Sequence, residues 1–255
     1  MLNWNPERWC YIMTFTALDM EKLNELMSSS PENKELLTKL LDSHQYTVSK
    51  ISHEIRNPLA LVYSTLQLIE STHPEVLDIR YWHYMREDVE YMNVLLEELS
   101  QYNNSDRVSF SEINMCAFME HLALSFAASL VDTDIEFTSK IDPLLPIING
   151  DKIKLKETFL NLLKNAKDAI AISGTINLHA YAKNNDIIVE ITDTGCGIPS
   201  EHLASLFTPF VTYKQGGTGL GLTIVQKTTA AHNGTVHVKS VPGAGTTFIV
   251  TLPVQ

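Results

Sequence analysis

A histidine, a glutamate, an asparagine and a proline stand close together in the octet SHEIRNPL, residues 52–59. The imidazole of His53 can act as a nucleophile or a proton acceptor, and the carboxylate of Glu54 beside it could take up a proton. Asn57 follows one helical turn later and therefore shares a helix face with His53. Pro58 removes one backbone hydrogen bond and predicts a loosened or bent helix beside the histidine. On its own, a single histidine would favour an ordinary structural role.

Two further polar clusters lie in the second half of the chain. Asn161 and Asn165 are one turn apart on a predicted helix, and their amide oxygens would suit a magnesium ion or a phosphate-bound water. The stretch DTGCGIP places Asp193 at the end of a predicted strand, ahead of Gly195 and Gly197. A carboxylate there could accept a hydrogen bond from an exocyclic amine such as that of adenine. Solvent-facing amides and a simple turn remain open as alternatives for each cluster taken singly.

The stretch KQGGTGLGLTIV, residues 214–225, is a glycine-rich loop that opens into a predicted helix. Such a loop presents backbone N–H groups and a helix N-terminus to phosphate groups. It lacks the spacing of a P-loop, and no βαβ unit surrounds it as a dinucleotide-binding site would need. Taken alone, the glycine content is equally typical of a mobile loop.

Two long helices must carry the histidine motif. Residues 31–103 contain no glycine, and apolar residues recur at helical spacing on both sides of residues 72–74. This pattern predicts an antiparallel helical hairpin whose second helix begins at Glu75. In the first helix, a seam of positions steps by four and three residues as in a helix bundle. The seam consists of Leu37, Leu41, His44, Val48, Ile51, Ile55, Pro58, Val62, Thr65 and Ile69. A lone hairpin cannot bury apolar stripes on both helices, so we expect a dimeric four-helix bundle.

The register of this seam predicts the environment of the histidine. With Val48 and Ile51 at the a and d positions, His53 falls at f, the position farthest from the seam. The ring is therefore expected to face solvent rather than a core. A bend at Pro58 would give a large partner access to it.

After Asn104 the pattern changes to alternating strands and helices, which predicts an α+β domain of sheet against helices. Asn114 is a predicted N-cap, as is Asp151, whose helix is expected to stop at Gly174. Asn184 and its neighbours predict a hairpin turn. The predicted strands are residues 135–141, 175–181, 187–192, 235–241 and 246–252, and the predicted helices are residues 114–131 and 151–172.

Composition limits the possible partners and the compartment. The 255 residues carry a net charge of -11, which argues against binding to the phosphate backbone of nucleic acid. The three cysteines are far apart and indicate a reducing compartment. The apolar N-terminal stretch at residues 9–18 is too short to span a bilayer. We therefore expect a soluble cytoplasmic protein with no membrane insertion.

The order of the clusters is more specific than any one of them. HEIRNP from His53, NxxxN from Asn161, DxGxG from Asp193, LFTPF from Leu206 and GTGLGL from Gly217 follow one another along the chain. This series resembles the H, N, G1, F and G2 boxes of sensor histidine kinases of two-component systems, and the resemblance runs from about residue 32 to 253. It implies a dimerisation and phosphotransfer bundle of the HisKA type, followed by a Bergerat-type ATP-binding domain.

The resemblance implies roles for the histidine motif and the polar clusters. His53 would be the phosphoacceptor, with Glu54 as its general base. Asn57 would place a water for dephosphorylating a partner receiver domain. Asn165 would hold magnesium against the phosphates of ATP, with Asn161 near by.

For the nucleotide, the resemblance implies that Asp193 takes the adenine amine, with Gly195 and Gly197 shaping that edge. Phe207 would anchor a lid, and Lys214 could meet the terminal phosphate. The other lid residues assigned to the nucleotide are Gly217, Thr218, Gly219, Leu220 and Gly221.

One position departs from the commonest family pattern. Asp168 stands where many members carry a lysine that touches phosphate, so that contact is absent here or comes from Lys164 or Lys167. The chain also begins only some 30 residues before the hairpin, without a recognisable sensor domain. Five apolar residues of this stretch are expected to pack on the bundle, with docking of a partner as the alternative: Trp4, Trp9, Tyr11, Ile12 and Phe15.

The resulting assignment has three parts. Residues 1–31 form an N-terminal extension, residues 32–104 the phosphotransfer hairpin, and residues 105–255 the catalytic ATP-binding domain. The expected activity is autophosphorylation of His53 by ATP and transfer to an aspartate of a response regulator, with possible phosphatase action. The alternative is a non-catalytic scaffold of the same fold that binds ATP or a regulator, and loss of any motif residue would have favoured it.

Overall fold

The computed structural model describes residues 22, 25–26, 28–105, 107–214 and 216–254, without the side chains of residues 41, 42, 44 and 45. Two compact units are present. The first takes in the described part of Met1–Asn103 together with Pro209–Thr218, and the second comprises Asn104–Thr208 and the described part of Gly219–Gln255. The apolar N-terminal residues that were expected to pack on the bundle lie outside the described residues.

A helical hairpin makes up most of the first unit. Helix α1 spans Pro31–Thr72, and the side chain of Ser30 caps it by accepting from the N–H of Asn33. The helix continues through Pro58, so the proline costs one backbone hydrogen bond without ending the helix.

The second helix begins later than the sequence predicts. Pro74–Asp78 forms a 3₁₀ helix, and helix α2 spans Arg80–Asn104 rather than starting at Glu75. The backbone N–H of Val76 donates to His73 O, and that of Ile79 donates to Val76 O. These tight bonds turn the chain before an α-helix can form.

Two adjacent stripes run along α1. An inner stripe of Ser52, Leu59 and Leu66 is buried, and Val89 of α2 completes its small core. An outer stripe, offset by one residue, consists of Ile51, Ile55 and Val62, whose exposed fractions are 49%, 48% and 46%. The seam predicted from the sequence is this outer stripe, so it is not the face that contacts α2. A stripe of half-exposed apolar side chains needs a further partner to be buried.

Hydrogen bonds and an ion pair link α1 with α2 beside the inner stripe. The indole N–H of Trp82 donates to Glu70 Oε1 at 2.8 Å. The guanidinium of Arg86 lies 3.6 Å from Glu70 and 3.0 Å from Glu90. Tyr63 donates its hydroxyl to Glu90 at 3.4 Å. These contacts link α1 and α2 in the register that the hairpin adopts.

The second unit contains seven strands and four helices. The strands are β1 Ser111–Asn114, β2 Asp134–Ile141, β3 Ile147–Gly150, β4 Ser173–Lys183, β5 Asp186–Asp193, β6 Thr235–Val241 and β7 Gly245–Pro253, and the helices are α3 Met115–Ala128, α4 Lys152–Asp168, α5 Ser200–Leu203 and α6 Gly221–Ala231. Five strands form one sheet in the order β2-β4-β5-β7-β6, in which only β2 and β4 run parallel. Strands β1 and β3 form a separate antiparallel pair. Side chains of α3, α4 and α6 share one apolar core with β4, β5 and β7. The predicted α+β fold is confirmed.

Local signals in the sequence explain several boundaries of this unit. Asn114 caps α3, and Asp151 caps α4 by accepting from two backbone N–H groups. Asn184 and Asn185 adopt φ of 53° and 66°, which the tight turn between β4 and β5 requires. The prediction that Gly174 stops α4 is wrong, because the helix ends at Asp168 and Gly174 already lies in β4.

A buried histidine ties three segments of the second unit together. His232 follows α6, and its Nε2 accepts from the backbone N–H of Asp151 at 2.9 Å. Its Nδ1 donates to the carbonyl of Thr228 at 2.8 Å, and its ring packs against Phe110. Burial lowers the pKa of His232, although the hydrogen bond to Thr228 opposes the shift.

We expect the second unit to lose stability as the pH falls. The unfolded chain binds a proton on His232 at a higher pH than the folded chain does, so the contribution is complete above the unfolded pKa of about 6.5. It is lost as the pH falls through the lower folded pKa, by about 1 kcal/mol per pH unit. Denaturant unfolding between pH 8 and 5 measures this slope. His232→Gln should flatten it below pH 6.5, whereas His237→Gln, at an exposed histidine of β6, should not. An unchanged slope in His232→Gln contradicts the assignment.

Candidate functional site

The histidine motif lies on the solvent-facing side of α1. His53, Glu54 and Asn57 are all exposed, as the seam register predicts for His53. The carboxylate of Glu54 is 3.8 Å from the ammonium of Lys50, and both side chains are more than half exposed. Solvent-screened pairs of this kind are weak, so Glu54 can exchange Lys50 for another partner. All three residues that the sequence predicts are therefore accessible to solvent, and Asn57 shares the helix face of His53.

The turn that carries His53 is fixed to α2 from its other side. Ser52 is buried and donates its hydroxyl to the carbonyl of Val48. Arg56 donates from Nη2 to the carbonyl of Leu96 at 3.2 Å, and the same nitrogen lies 3.0 Å from a carboxylate oxygen of Glu97. Arg56 was not among the predicted site residues, although it lies within the HEIRNP stretch. Its contacts keep the His53 turn in a fixed orientation on the hairpin.

The paired asparagines lie at the edge of the buried face of α4. Asn161 and Asn165 are half-buried, next to the fully buried Leu162 and Leu163. The Nδ2 atom of Asn161 is shielded from solvent and has no hydrogen-bond partner within the described part of the chain. A buried donor left in this way costs free energy unless a ligand or water satisfies it.

The loop after β5 closes onto the end of α4. The backbone N–H of Cys196 donates to the carbonyl of Ala169 at 3.0 Å, and the N–H of Ala169 donates to the carbonyl of Asn165 at 3.1 Å. A Cβ on Gly195 would lie 2.5 Å from that Ala169 carbonyl oxygen, so no larger residue fits. Gly195 is thus required by the approach of two protein segments, and this contact holds the loop that follows Asp193 against the end of α4.

The carboxylate of Asp193 is oriented by backbone donors. It is buried, and its Oδ1 accepts from the N–H of Gly195 at 2.8 Å and from the N–H of Thr246 at 3.3 Å. A Cβ on Gly245 would lie 2.0 Å from Asp193 O, and Gly245 has a φ of +114°. Gly245 and Thr246 were not among the predicted site residues. The antiparallel pairing of β5 with β7 sets Thr246 opposite Asp193, and this pairing is not evident from local patterns.

The rest of the loop after β5 is held by β6 and its turn. Gly197 has a φ of +67°, and its neighbour Ile198 donates its N–H to the hydroxyl of Ser240 at 2.8 Å. The N–H of Gly243 donates to the carbonyl of Cys196 at 2.8 Å. The predicted DTGCGIP loop is therefore rigidly supported on both sides.

Four of the predicted lid residues stay with the second unit. Phe207 packs against the main core, and its carbonyl accepts from the hydroxyl of Thr223. Gly219 has a φ of +74°, Leu220 is buried, and α6 begins at Gly221. The start of a helix directly after a glycine-rich loop, as the sequence predicts, directs N–H groups toward the loop.

The remaining predicted lid residues belong to the first unit. Lys214 is exposed, and its carbonyl accepts from the N–H of Gly217. Thr218 donates its hydroxyl to the carboxylate of Glu98, and the ring of Phe210 contacts that of Tyr102. Lys214, Gly217 and Thr218 are thus described with the first unit, whereas Asp193 and Asn165 belong to the second.

Lys167, one of the two lysines named as substitutes for the phosphate contact that this chain lacks at Asp168, is already bonded within the protein. The ammonium of Lys167 donates to the carbonyl of Ser129 at the end of α3. Lys164 is exposed on α4, one residue before Asn165. The bond from Lys167 to Ser129 therefore makes Lys164 the better placed of the two lysines for contact with a phosphate group.

The second unit therefore contains the buried carboxylate of Asp193, the amides of Asn161 and Asn165 on α4, and a glycine-rich loop at the start of α6. A buried carboxylate suits a purine base, and amides and a helix N-terminus suit phosphate groups. The first unit offers an accessible imidazole beside a carboxylate. No helix in the described ranges is long and apolar enough to cross a bilayer.

Comparisons with known proteins give the same division. The family model of the His Kinase A (phospho-acceptor) domain matches residues 43–107. The model of the histidine kinase-, DNA gyrase B- and HSP90-like ATPases matches residues 150–255.

Among curated proteins, the signal transduction histidine-protein kinase AtoS of Escherichia coli is 30% identical over 206 residues, which cover 80% of this chain and 34% of AtoS. The sensory histidine kinase/phosphatase NtrB of Rhodobacter capsulatus is 32% identical over 217 residues, which cover 80% of this chain and 60% of NtrB. This chain thus spans less than two thirds of the length of either relative.

Among solved structures, full-length ShkA in complex with AMPPNP superposes with a TM-score of 0.71 at 26% identity, over 82% of this chain and 45% of ShkA. The two family models follow each other in the order that the resemblance implies, with the histidine motif in the first and the Asp193 loop in the second. The chain belongs to the histidine kinase family, with a phospho-acceptor helical hairpin followed by an ATPase-type α+β domain.

Proposed function

We propose that this chain is an ATP-dependent protein histidine kinase that phosphorylates itself on His53 and passes the phosphoryl group to an aspartate of a response regulator. The observation that carries the proposal is the presence, in one chain, of an exposed His53–Glu54 pair and of the oriented carboxylate of Asp193. Histidine kinase relatives that match over most of this chain support it. The proposed place of action is the cytoplasm.

The residues of the second unit fit ATP and magnesium. Asp193 is proposed to accept the exocyclic amine of adenine, because its buried carboxylate, oriented by the N–H groups of Gly195 and Thr246, is the type of acceptor that such a donor needs. The unsatisfied Nδ2 of Asn161 points to a missing acceptor at this site, such as a phosphate oxygen or its water. Asn165 offers an amide oxygen, the type of ligand that magnesium prefers. Gly195 and Gly197 would shape the adenine edge, and Phe207, Gly219, Leu220 and Gly221 would cover the phosphates. Gly217 and Thr218, which belong to the first unit, are proposed to form part of the same lid.

The proposed reaction is an in-line transfer to the imidazole. A ring nitrogen of His53 forms the N–P bond with its lone pair as the bond from the γ-phosphorus to the ADP oxygen breaks. Glu54 accepts the proton that the ring loses. When bound, magnesium would neutralise charge on the transferring group. Lys214 is proposed to meet the terminal phosphate.

Asn57 is proposed to add a second activity toward the same partner. Its amide lies one turn from His53 on an exposed face, where it can orient a water toward a phosphorylated receiver domain. The curated name of NtrB includes both kinase and phosphatase. Asn57→Ala should therefore slow dephosphorylation of the regulator while the chain still labels itself.

Incubation with γ-labelled ATP and magnesium tests the proposal. We expect acid-labile, alkali-stable label on the wild-type chain and none on Asn165→Ala. Label should reach a regulator that carries its receiver aspartate and should not reach one with asparagine there. Measured nucleotide binding without any label on the wild type would contradict the kinase assignment.

We also propose that the chain dimerises through the outer stripe into a four-helix bundle. Ile51→Asp or Ile55→Asp would place a charge in the buried seam and should weaken the dimer by about 100-fold or more. Light scattering over a dilution series measures this change. Gln67→Asp, at an exposed f position of the same helix, is the matched control and should leave the dimer intact. A monomer-sized wild type at high concentration contradicts the bundle.

A further inference from the structure

We propose that Arg56 binds the phosphoryl group of phosphorylated His53, in exchange for its present partner Glu97. The inference rests on the proposed function, because it requires a phosphoryl group on His53. It concerns a residue to which the proposed transfer reaction gives no role. Arg56 would thereby let the phosphorylation state of α1 act on α2.

The position of Arg56 on α1 brings it within reach of the histidine. It lies three residues after His53, and residues at this spacing are neighbours on a helix with Cβ atoms about 5–6 Å apart. An arginine side chain and a phosphorylated imidazole each extend further than that separation. The other cation within one turn of His53 is Lys50, whose ammonium lies 3.8 Å from Glu54. Arg56 is therefore the cation on the side of His53 that faces α2.

The present contacts of Arg56 use one end of its guanidinium. Nη2 makes both the hydrogen bond to the carbonyl of Leu96 and the 3.0 Å contact with Glu97. The Nε and Nη1 N–H groups take no part in either contact. A guanidinium has five N–H donors in a planar fork that matches a phosphoryl group. Arg56 can thus keep its bond to Leu96 while it turns other donors toward His53.

The charges favour this exchange once His53 is phosphorylated. The side chain of Arg56 is 29% exposed and that of Glu97 is 57% exposed, so solvent screens their attraction. A phosphoryl group carries close to two negative charges and three acceptor oxygens, against one charge on Glu97. Charge-assisted bidentate bonds from arginine to such a group are among the strongest in proteins. Phosphorylation would release Glu97 from α1.

The ionisation of the phosphoryl group on His53 tests the inference directly. The full chain is phosphorylated with phosphoramidate, so that the measurement does not depend on autophosphorylation, and the ³¹P signal missing in His53→Gln identifies the site. Its chemical shift is then followed with pH. In Arg56→Gln we expect the phosphoryl pKa to rise by about half a unit or more, because the paired cation that favours the dianion is gone.

Two further variants separate binding from a structural effect. Glu97→Gln removes the competing carboxylate and should lower the same pKa. Arg86→Gln removes the other arginine that links α1 with α2, away from His53, and should leave it unchanged. Equal pKa values in wild type, Arg56→Gln and Glu97→Gln overturn the inference, as does an equal rise in Arg86→Gln. Absence of label from ATP in the wild type would refute the proposed kinase activity instead.

Discussion

His53→Gln is expected to incorporate no label from γ-labelled ATP, while its affinity for nucleotide stays unchanged. The amide nitrogen of glutamine has no available lone pair and cannot form the N–P bond that the imidazole forms. His53 is exposed, so the substitution should alter the free energy of unfolding by less than about 0.5 kcal/mol. Label incorporation, nucleotide titration and thermal unfolding measure these three properties on one preparation.

A matched variant shows whether the loss is specific to this histidine. His83 is another exposed histidine of the hairpin, and His83→Gln should retain the wild-type label. Glu54→Gln keeps the nucleophile but loses the proton acceptor, so its labelling rate should fall by about 100-fold or more. Label that persists in His53→Gln would move the phosphoacceptor to another residue.

Asp193→Asn is expected to weaken ATP binding by about 100-fold or more without unfolding the second unit. The amide oxygen of asparagine can still accept from the N–H groups of Gly195 and Thr246, which preserves the loop. Its NH₂ group would face the adenine amine, so two donors meet where an acceptor is needed. Calorimetric titration with ATP measures the loss.

The control for this variant lies at the other end of the same strand. Asp186→Asn changes the same functional group at the start of β5 and should leave ATP affinity unchanged. A melting temperature close to that of the wild type would show that Asp193→Asn acts on the ligand and not on the fold. Wild-type ATP affinity in Asp193→Asn would remove Asp193 from the nucleotide site.

Periodicity and cap residues predicted most of the fold. The seam register predicted an exposed His53, and Asp151 marked the start of α4. The predicted end of α4 was wrong because a glycine can lie in the strand that follows a helix as well as at the end of the helix itself. Gly174 lies inside β4, where its missing side chain leaves room for Ile170 and Thr194.

The parts of the site that the sequence did not predict depend on distant residues. Thr246 donates to Asp193 across 53 positions of the chain, through the register of β5 with β7. Arg56 bonds to Leu96 of α2, 40 positions further along the chain. The sequence motif around it indicated a role for His53 but gave no sign of this distant contact. The structure also gives a different reason why residue 195 is a glycine. A side chain there would collide with the carbonyl of Ala169, whether or not a ligand is bound. Local patterns contain no information about such pairings.

The outer stripe of α1 has a consequence for how the chain melts. The second unit closes its apolar core on itself, whereas the core inside the hairpin is small and leaves Ile51 and Ile55 half exposed. Self-association through that stripe would couple the hairpin to protein concentration by mass action. Calorimetry should then resolve two transitions, of which only the hairpin's moves to higher temperature as the sample is concentrated. At low protein concentration inside a cell, the number of copies of the chain would therefore determine the fraction of hairpins that are folded.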